Sequence, residues 1–385
     1  KNLNESIDIW EFYAGPFRVI VPCHAKYVDK IYMSYNKSKS LSKESKFFKR
    51  NIAAHDEFGI LNGTIFNNDL HKWKRSRQFV TKVLMSKKYH IEVINSGQKI
   101  FKEFEEQWDK NDVTTLDFSK WIALYKAKVT MTTIIGQPLY NLPIDSISKA
   151  AAEYVAMFAF LVFIPKIISS IFMRFGFNDM KKKSVFLNGT ISNIIKKRRD
   201  EIKNGSTTNF NLLDLLLVIN SSNNCENNSE EHIIEGEQPM NNEEIEANLA
   251  EITAVSIETT VTAFSFLVYN IVKNPLILEK LCAEIFKVFG SDTSLIITYE
   301  ALESCRYLDA LIKEMLRHFN PAPLNLRVLD GYESTGDYKW SPGTWFFVDN
   351  HRIMNNPKYW NEPLKFNPDR FLSEEHGGTG EFSNM

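Results

Sequence analysis

The amino-acid sequence predicts a mainly α-helical protein with a small β region. From Lys72 to Phe319, apolar residues recur at spacings of three and four in successive segments, which is typical of amphipathic helices. After Pro321 the pattern changes to short β-like runs and turns such as Ser341-Pro342-Gly343. A chain of 385 residues with 44% hydrophobic and 24% charged residues can bury a substantial core.

The first regular elements are a strand and a series of helices. Residues 15–21 are rich in β-forming residues after a Gly-Pro breaker, which predicts a strand near the amino terminus. Glycine, proline and Asn-Gly pairs then separate the helical segments. The predicted helices cover residues 71–90, 93–110, 118–136, 146–160 and 181–203.

A polar tract divides the helical series. Residues 220–242 contain few large apolar side chains, so we expect a disordered surface insert there. A long helix is predicted from Glu243 to Lys273, where Asn274-Pro275 ends it. A second helix runs to Phe289 with Gly290 as its cap, and a third covers 302–319.

The most apolar stretch lies between Tyr154 and Phe172. Pro165 and Lys166 interrupt it, which leaves a run shorter than the roughly 20 residues of a membrane span. Two alternatives stay open at this point. The stretch forms a buried helix pair, or it is an interfacial element that dips into a bilayer or caps an apolar pocket.

Composition excludes several classes of protein. Lys plus Arg number 46 and Asp plus Glu 47, so no net charge recruits nucleic acid. The four cysteines, Cys23, Cys225, Cys282 and Cys305, include no close pair, which disfavours a disulfide scaffold or zinc cage and favours a reducing compartment. The usual signatures of nucleotide hydrolysis, zinc proteolysis and serine hydrolysis are absent from the sequence.

The first candidate site is a pair of donors on one helix. Trp73 and Arg77 are four residues apart, so an indole N–H and a guanidinium can point to the same side and bind an anion. The alternative is a tryptophan packed under an arginine stem. A basic face on the same helix is either a docking surface for an acidic partner or an ordinary solvated surface. Its residues are Lys72, Lys74, Arg75 and Lys82.

The second candidate lies midway along the long helix, where polar residues interrupt an apolar stretch. Burying Ser256, Glu258 and Thr259 costs free energy unless they form hydrogen bonds. In one alternative, the Ser256 or Thr259 hydroxyl bonds back to a carbonyl one turn earlier. In the other, the helix opens locally beside a cofactor, and Glu258 and Thr259 relay protons.

The third candidate joins two distant segments. Glu314 and Arg317 have the i, i+3 spacing of a helical ion pair. Residues 366–371 follow with the sequence FNPDRF, from which Arg370 can complete a buried Arg–Glu–Arg network. The pair and the later motif together are more specific than either alone.

The order of these motifs resembles that of the cytochrome P450 superfamily, the haem-thiolate monooxygenases, over essentially the whole chain. Residues 350–360 also look like the stretch that precedes the family's F-x-P-x-R-F segment. The matching motifs are W-x-x-x-R at Trp73 and Arg77, the acid–alcohol motif at Glu258-Thr259-Thr260, E-x-x-R at Glu314 and Arg317, the proline-rich turn with its following arginine at Pro321, Pro323 and Arg327, and F-x-P-x-R-F at residues 366–371.

The resemblance implies a cytochrome P450 fold, a single catalytic domain over residues 1–385, and a haem b cofactor. It implies that Trp73, Arg77 and Arg327 hold the haem propionates, which suits donors that face carboxylates. It further implies that Glu258 and Thr259 deliver protons. Structural roles then fall to Glu314, Arg317 and Arg370, which fix the loop under the haem.

Two departures from the family pattern stand out. Val255-Ser256 replaces the usual small pair before the acid, so the oxygen-binding groove is expected to be narrower or differently hydrogen-bonded. The family's axial cysteine follows the F-x-P-x-R-F segment, and all four cysteines here precede it. We therefore expect a fold incomplete at both ends, with no metal ligand in this stretch and no activity of the stretch alone.

The resemblance predicts a membrane-associated monooxygenase on the cytoplasmic face of the endoplasmic reticulum, held by an anchor outside these residues. It would oxidise a small apolar substrate with O2 and electrons from NADPH–cytochrome P450 reductase. Candidate pocket residues are Phe58, Phe158, Phe160 and Val255. The rival hypothesis is a catalytically inactive relative or fragment that has lost haem ligation, while a purely helical scaffold leaves the E-x-x-R and FNPDRF motifs unexplained.

Overall fold

The described part of the chain forms two compact units in a computed structural model. The helical unit comprises residues 52–261 and 291–303, and the sheet unit comprises residues 1–51, 262–290 and 304–385. The structure describes residues 9–14, 17–28, 31, 63–65, 67, 69–111, 114–136, 143–162, 178–206, 211–221, 240–291, 296–335 and 338–372.

The secondary structure is mainly helical, as the sequence predicts. In chain order, the strands and helices are β1 (Ile9–Ala14), β2 (Phe17–Pro22), α1 (Leu70–Leu84), α2 (Lys87–Lys110), α3 (Phe118–Thr130), α4 (Ile144–Val162), α5 (Asn178–Lys203), α6 (Leu212–Ser221), α7 (Asn242–Lys273), α8 (Pro275–Phe289), α9 (Tyr299–Glu303), α10 (Arg306–His318), β3 (Leu324–Val328), β4 (Glu333–Thr335), β5 (Tyr338–Trp340), β6 (Trp345–Asp349) and α11 (Asn350–Met354).

Side-chain caps define where the first helices of the helical unit begin. The Asp69 carboxylate accepts hydrogen bonds from the backbone N–H groups of His71 and Lys72 at the start of α1. Ser86 caps α2 by accepting from the Tyr89 N–H at 3.2 Å. The prediction of one helix over residues 71–90 is therefore wrong, because Met85 and Ser86 separate α1 from α2.

A wider π-helical turn extends α3. Residues 131–135 form this turn, and Gly136 ends it with a φ of 72°. The Thr132 and Thr133 hydroxyls donate to carbonyls one turn earlier, at 3.0 and 2.8 Å. The structure therefore confirms the extent of the predicted helical segment over residues 118–136, and the helix type changes near its end.

The core of the helical unit is built from α1, the start of α2, the α3 region, α4, α5, α6 and the first part of α7. A buried ion pair joins two of these helices, because Arg198 on α5 donates to both Asp214 oxygens on α6 at 2.7 Å. Sequence analysis did not predict α6. In the core of the helical unit, the largest fully buried side chains are Tyr154, Met131, Ile135, Ile147, Leu187 and Ile191.

The sheet unit contains a four-stranded sheet with the order β1-β2-β6-β3. β1 and β2 form an antiparallel hairpin, whereas β2 runs parallel to β6 with Val19 opposite Trp345. β3 is antiparallel to β6, and β4 pairs with β5 separately. The predicted strand at residues 15–21 is confirmed as β2, and the predicted β region after Pro321 is confirmed as β3 to β6.

The long helix and the helix after it match their predictions closely. α7 ends at Lys273, and Gly290 follows α8 with a φ of 72°. The helix predicted over residues 302–319 is instead two, α9 and α10. α10 begins after Cys305, where the Glu284 carboxylate of α8 accepts from the Tyr307 and Leu308 N–H groups at 2.7 and 2.9 Å.

Two predicted segments lie largely outside the described residues. Of the polar tract, Asn220 and Ser221 belong to α6 and Met240 is buried, whereas residues 222–239 are not described. Of the apolar stretch, α4 covers the part up to Val162. In the described part of the chain, α7 is the one helix long and apolar enough to cross a membrane, a criterion that core helices also meet.

Candidate functional site

The aromatic and basic pair on α1 presents an available cation. Trp73 is buried, Arg77 is exposed, and the guanidinium carbon lies 5.5 Å from the centre of the indole ring. Among the described residues, no carboxylate forms an ion pair with Arg77. Trp73 therefore supports Arg77 from one side, and the guanidinium stays open to an anionic group.

Arg75, two residues away on α1, differs from Arg77. It forms an ion pair with Glu244, a buried residue in the first turn of α7. The prediction that placed Arg75 on an exposed basic face is therefore wrong, because this guanidinium binds inside the helical unit. Lys72, Lys74 and Lys82 are exposed and make up the basic face.

The hydroxyls midway along α7 bond back to the helix. Thr259 donates to the Val255 carbonyl at 2.7 Å, and Ser256 donates to the Thr253 carbonyl at 3.2 Å. α7 is continuous from Asn242 to Lys273, so the structure shows no local opening at this point. These hydrogen bonds agree with the first of the two alternatives, in which the hydroxyls bond back to carbonyls of an intact helix.

Glu258 is half-buried beside Thr259. Burial raises the pKa of its carboxyl group, because desolvation disfavours the charged form. A larger fraction of Glu258 than of an exposed glutamate is therefore protonated near neutral pH.

Arg327 is the fourth residue of β3 in the sheet unit and lies opposite Phe346 of β6. The side chain is half-buried, and Nη1 donates to the Leu326 carbonyl at 2.8 Å. Pro323, from the predicted proline-rich turn, accepts the Asn350 N–H at 2.8 Å and so ties the turn to the end of β6. Trp73 and Arg77 belong to the helical unit, and their joint action with Arg327 stays a prediction.

Glu314 on α10 lies between two arginines. Arg317 donates from Nε and Nη2 to the two carboxylate oxygens at 2.7 and 2.9 Å, and Arg370 donates from Nε at 3.1 Å. All three side chains are buried, with 0%, 3% and 5% of their surface exposed. The structure brings together the three residues that the sequence analysis selected.

Other arginine donors of this Arg–Glu–Arg network bind mainly backbone carbonyls. Arg317 bonds to the Met354 and Pro363 carbonyls at 2.7 and 2.9 Å. Arg370 bonds to the Asn361 carbonyl at 3.0 Å. Glu314 also accepts the Asn367 N–H at 2.8 Å. The bonds of Arg317 and Glu314 thereby fix the irregular segment 354–370 to α10, and the Arg370–Asn361 bond ties two parts of that segment together.

His318 lies next to this network, and sequence analysis did not select it. Its Nδ1 is 3.5 Å from Nη2 of Arg317, and its ring meets Phe366 edge-on. Burial, followed by the Arg317 charge, lowers the pKa of His318. Its position directly after Arg317 was the only sequence signal available.

A row of buried polar side chains on α7 was also missed. Glu244, Asn248 and Glu251 are spaced by four and three residues, so they share one helix face. Asn248 donates to Ser76 of α1 at 3.1 Å and accepts from the Thr64 hydroxyl. Glu251 accepts the N–H groups of residues 63 and 65. The signal available was polar residues at helical spacing in an apolar helix.

The predicted pocket residues are only partly described. Phe58 lies outside the described residues, and Phe158 and Phe160 are on α4 with side chains outside them. Val255 is half-buried and packs against the core of the helical unit. Within the described ranges, no three or more His, Cys, Asp or Glu side chains are grouped to hold a metal.

Comparison with known proteins gives consistent matches. A sequence profile described as Cytochrome P450 matches residues 1–385. Tabersonine 16-hydroxylase 1 of Catharanthus roseus is 26% identical over 323 residues, which cover 79% of this chain and 59% of that protein. Cytochrome P450 4d1 of Drosophila melanogaster is 27% identical over 328 residues, covering 78% and 60%.

The fold is also similar to a solved structure. The retinoic acid bound cyanobacterial CYP120A1 superposes with a TM-score of 0.72 at 18% identity, over 95% of this chain and 75% of that one. The predicted fold is therefore confirmed. The chain spans about three fifths of the length of the two curated relatives. With a family profile that matches throughout, the chain belongs to the cytochrome P450 family.

Proposed function

We propose that the full-length protein is a haem-dependent monooxygenase. It inserts one atom of O2 into a small apolar organic substrate and receives electrons from NADPH–cytochrome P450 reductase. The observation that carries this proposal is the acid–alcohol pair on α7, where a half-buried carboxyl with a raised pKa stands beside a hydroxyl. Family membership gives this pair its context.

The donors on α1 fit a haem propionate. Arg75 and Arg77 lie on the same helix, yet Arg75 binds Glu244 whereas Arg77 has no carboxylate partner among the described residues. An exposed guanidinium supported by an indole suits an external carboxylate. We assign one propionate contact to Trp73 and Arg77 and another to Arg327. Haem b would supply the binding and reductive activation of O2.

Glu258 and Thr259 are proposed to move protons. Because burial raises its pKa, the Glu258 carboxyl keeps its proton to a higher pH than an exposed glutamate, and we assign it the role of donor. The Thr259 hydroxyl points its proton at the Val255 carbonyl in the resting structure. Rotation about its Cα–Cβ bond frees this hydroxyl to accept one proton and pass on another.

The Arg–Glu–Arg network is proposed to fix the position of the loop that would lie under the haem. Glu314, Arg317 and Arg370 fix segment 354–370 through buried charge-assisted hydrogen bonds. In the family the iron-binding cysteine follows the F-x-P-x-R-F segment, whereas all four cysteines of this sequence precede it. The form to test is therefore the full-length gene product, which we place at the cytoplasmic face of the endoplasmic reticulum membrane.

The test is a ferrous–carbon monoxide difference spectrum of the full-length protein, followed by turnover with reductase. We expect the haem-thiolate band in the wild type and in the Glu258→Gln and Thr259→Val variants. Both variants should form about 10²- to 10⁴-fold less product, because each removes one group from proton transfer. Wild-type protein without the band would instead support the inactive relative.

The pH profile provides a second readout of the same site. Because burial raises the pKa of Glu258, its protonated form persists above the ordinary value of 4.5 and is lost as pH rises. Turnover of the wild type should therefore fall as pH rises through this raised pKa. Glu258→Gln should lose that limb of the profile, and a variant that keeps it would exclude Glu258 as the donor.

A further inference from the structure

We propose that Glu251 is a positioning residue that fixes residues 63–65 as one wall of the substrate pocket and so restricts which ligands fit. The inference rests on the proposed function, since it assigns a specificity role within the same site. It concerns a carboxylate that sequence analysis did not select. The two bonds from Glu251 to residues 63 and 65 are called here the Glu251 clamp.

The clamp is a two-point contact with the backbone. Glu251 Oε1 accepts the Gly63 N–H, and Oε2 accepts the Ile65 N–H, each at 2.8 Å. Glu251 is fully buried. The segment it binds is far away in sequence, at separations of 188 and 186 residues. Each carboxylate oxygen accepts from a different N–H, an arrangement that uses a carboxylate as a bidentate acceptor.

Neighbouring contacts hold the same segment in register. The Thr64 hydroxyl, between the two clamped residues, donates to Asn248 one turn earlier on α7. A Cβ atom at position 63 would lie 2.5 Å from Oε2 of Glu251 and 2.9 Å from the Ala247 carbonyl. Glycine is therefore needed there, and the backbone approaches α7 more closely than any residue with a side chain allows.

The position of the clamp along α7 connects it to the proposed reaction. Residues 244, 248, 251, 255 and 258 follow one another at spacings of four and three, which places them along one helix face. The clamped segment is bound at 248 and 251, and 255 and 258 are the next positions on that face toward the carboxyl end of α7. Those positions are Val255, a candidate pocket residue, and Glu258, the proposed proton donor.

This placement predicts an effect on ligand selection. Glu251, which binds residues 63 and 65, lies one helical turn before Val255, and the clamp sets the distance of segment 63–65 from α7. Loss of the clamp frees a stretch that otherwise limits the space beside Val255. Ligands that fill the pocket should be affected, whereas a ligand that reaches only the iron should not.

The main test compares two probes that coordinate ferric haem iron. Spectral titrations of the full-length wild type and Glu251→Gln use imidazole, which is small, and 4-phenylimidazole, which extends from the iron into the pocket. Gln has the same shape but presents an NH2 group to one of the two N–H donors. We expect the dissociation constant for 4-phenylimidazole to change by about tenfold and that for imidazole by less than about twofold.

A milder variant and a matched control accompany it. Thr64→Val removes the hydroxyl bonded to Asn248 with little change in shape, and it should shift the same probe ratio in the same direction. Asp214→Asn is the control, because Asp214 is also fully buried and accepts two hydrogen bonds, from Arg198. It should lower the melting temperature without changing the ratio.

Hydrogen exchange measures the clamp without reference to haem chemistry. The amides of Gly63 and Ile65 should exchange about tenfold faster in Glu251→Gln and at the wild-type rate in Asp214→Asn. The inference is overturned if these amides exchange at the wild-type rate in both Glu251→Gln and Thr64→Val, or if both variants keep the wild-type probe ratio. In either case the proposed function stands. Wild-type protein that lacks the haem-thiolate band overturns the proposed function itself.

Discussion

Glu314 is a buried carboxylate whose two oxygens bind two arginines and one backbone N–H group. The arginines use their other donors on carbonyls of segment 354–370. Removing one member of such a group leaves the others buried with unbalanced charge. A substitution at any of these three residues is therefore expected to be strongly destabilising.

Glu314→Gln should therefore lower the free energy of unfolding by about 3–5 kcal/mol, because it leaves Arg317 and Arg370 without a counter-charge. Urea unfolding of the full-length protein measures the change. The control is Asp309→Asn, which removes an exposed ion pair with Lys313 on the same helix and should have little effect. Equal changes in the two variants would contradict the structural role of the network.

How well individual site residues could be predicted depends on how local their partners are. Glu314 and Arg317 form a pair within one helix, so their spacing alone was informative. Arg370 was selected from the later FNPDRF motif as the residue that could complete a buried network with this pair. Glu251 was not found, since its partners are backbone N–H groups of residues 63 and 65. Because every residue other than proline has a backbone N–H group, the sequence does not indicate which of these groups bind a side chain.

The end of the π-helical turn depends on one glycine. Gly136 has a φ of 72°, and a Cβ atom there would collide with the Asn211 side chain. Asn211 in turn accepts the Asp214 N–H at the start of α6. A residue larger than glycine at position 136 would therefore adopt an unfavourable backbone conformation and collide with Asn211, where the turn meets α6.

Gly136→Ala should destabilise the protein by about 2 kcal/mol more than Gly205→Ala. Gly205 also has a positive φ, at 86°, but an added Cβ atom there meets nothing within 4 Å. The pair of variants separates the steric collision from the cost of backbone conformation. Thermal or urea unfolding measures both, and similar losses would show that Asn211 moves aside freely.

Elements with strong periodicity and clear end signals could be predicted from the sequence. α7 and α8 were placed to within a residue, since Asn274-Pro275 and Gly290 mark their ends. The break between α1 and α2 was missed because apolar spacing continues across Met85 and Ser86. α6 was missed because its leucines surround a single acid, Asp214, and give little periodic contrast.

Over the whole molecule the formal charge is nearly balanced, at −1. Local surfaces can still steer a partner, and the exposed lysines of α1 form such a surface on the helix that carries Trp73 and Arg77. We expect the reductase to dock on the face formed by Lys72, Lys74 and Lys82. This keeps the donor of electrons near the proposed propionate site.

Lys72→Glu combined with Lys74→Glu should weaken reductase binding by about tenfold and reduce its dependence on salt. Stopped-flow reduction of the full-length protein at several ionic strengths measures both effects. Lys196→Glu with Lys203→Glu is the control, since it changes net charge equally at exposed positions on α5. If the control slows reduction as much, the α1 face is not the docking site.

The division into two compact units was not apparent in the sequence. Composition and helical texture are similar on both sides of residue 261, where the helical unit gives way to the sheet unit within α7. The sheet unit is also discontinuous, because it contains both β1–β2 and the segment after Ser304. The prediction of a single catalytic domain stays a prediction.

The parallel pairing of Val19 with Trp345 has a consequence for biosynthesis. The β1–β2 hairpin leaves the ribosome before the helical unit, whereas its partner strand is translated only after that unit. During that interval, Val19 and Ile20, which end up fully buried, have no sheet to join. The helical unit can acquire its core during translation, whereas sheet closure is a late event. Nascent chains stalled before position 345 should therefore depend on chaperones that shield apolar strands.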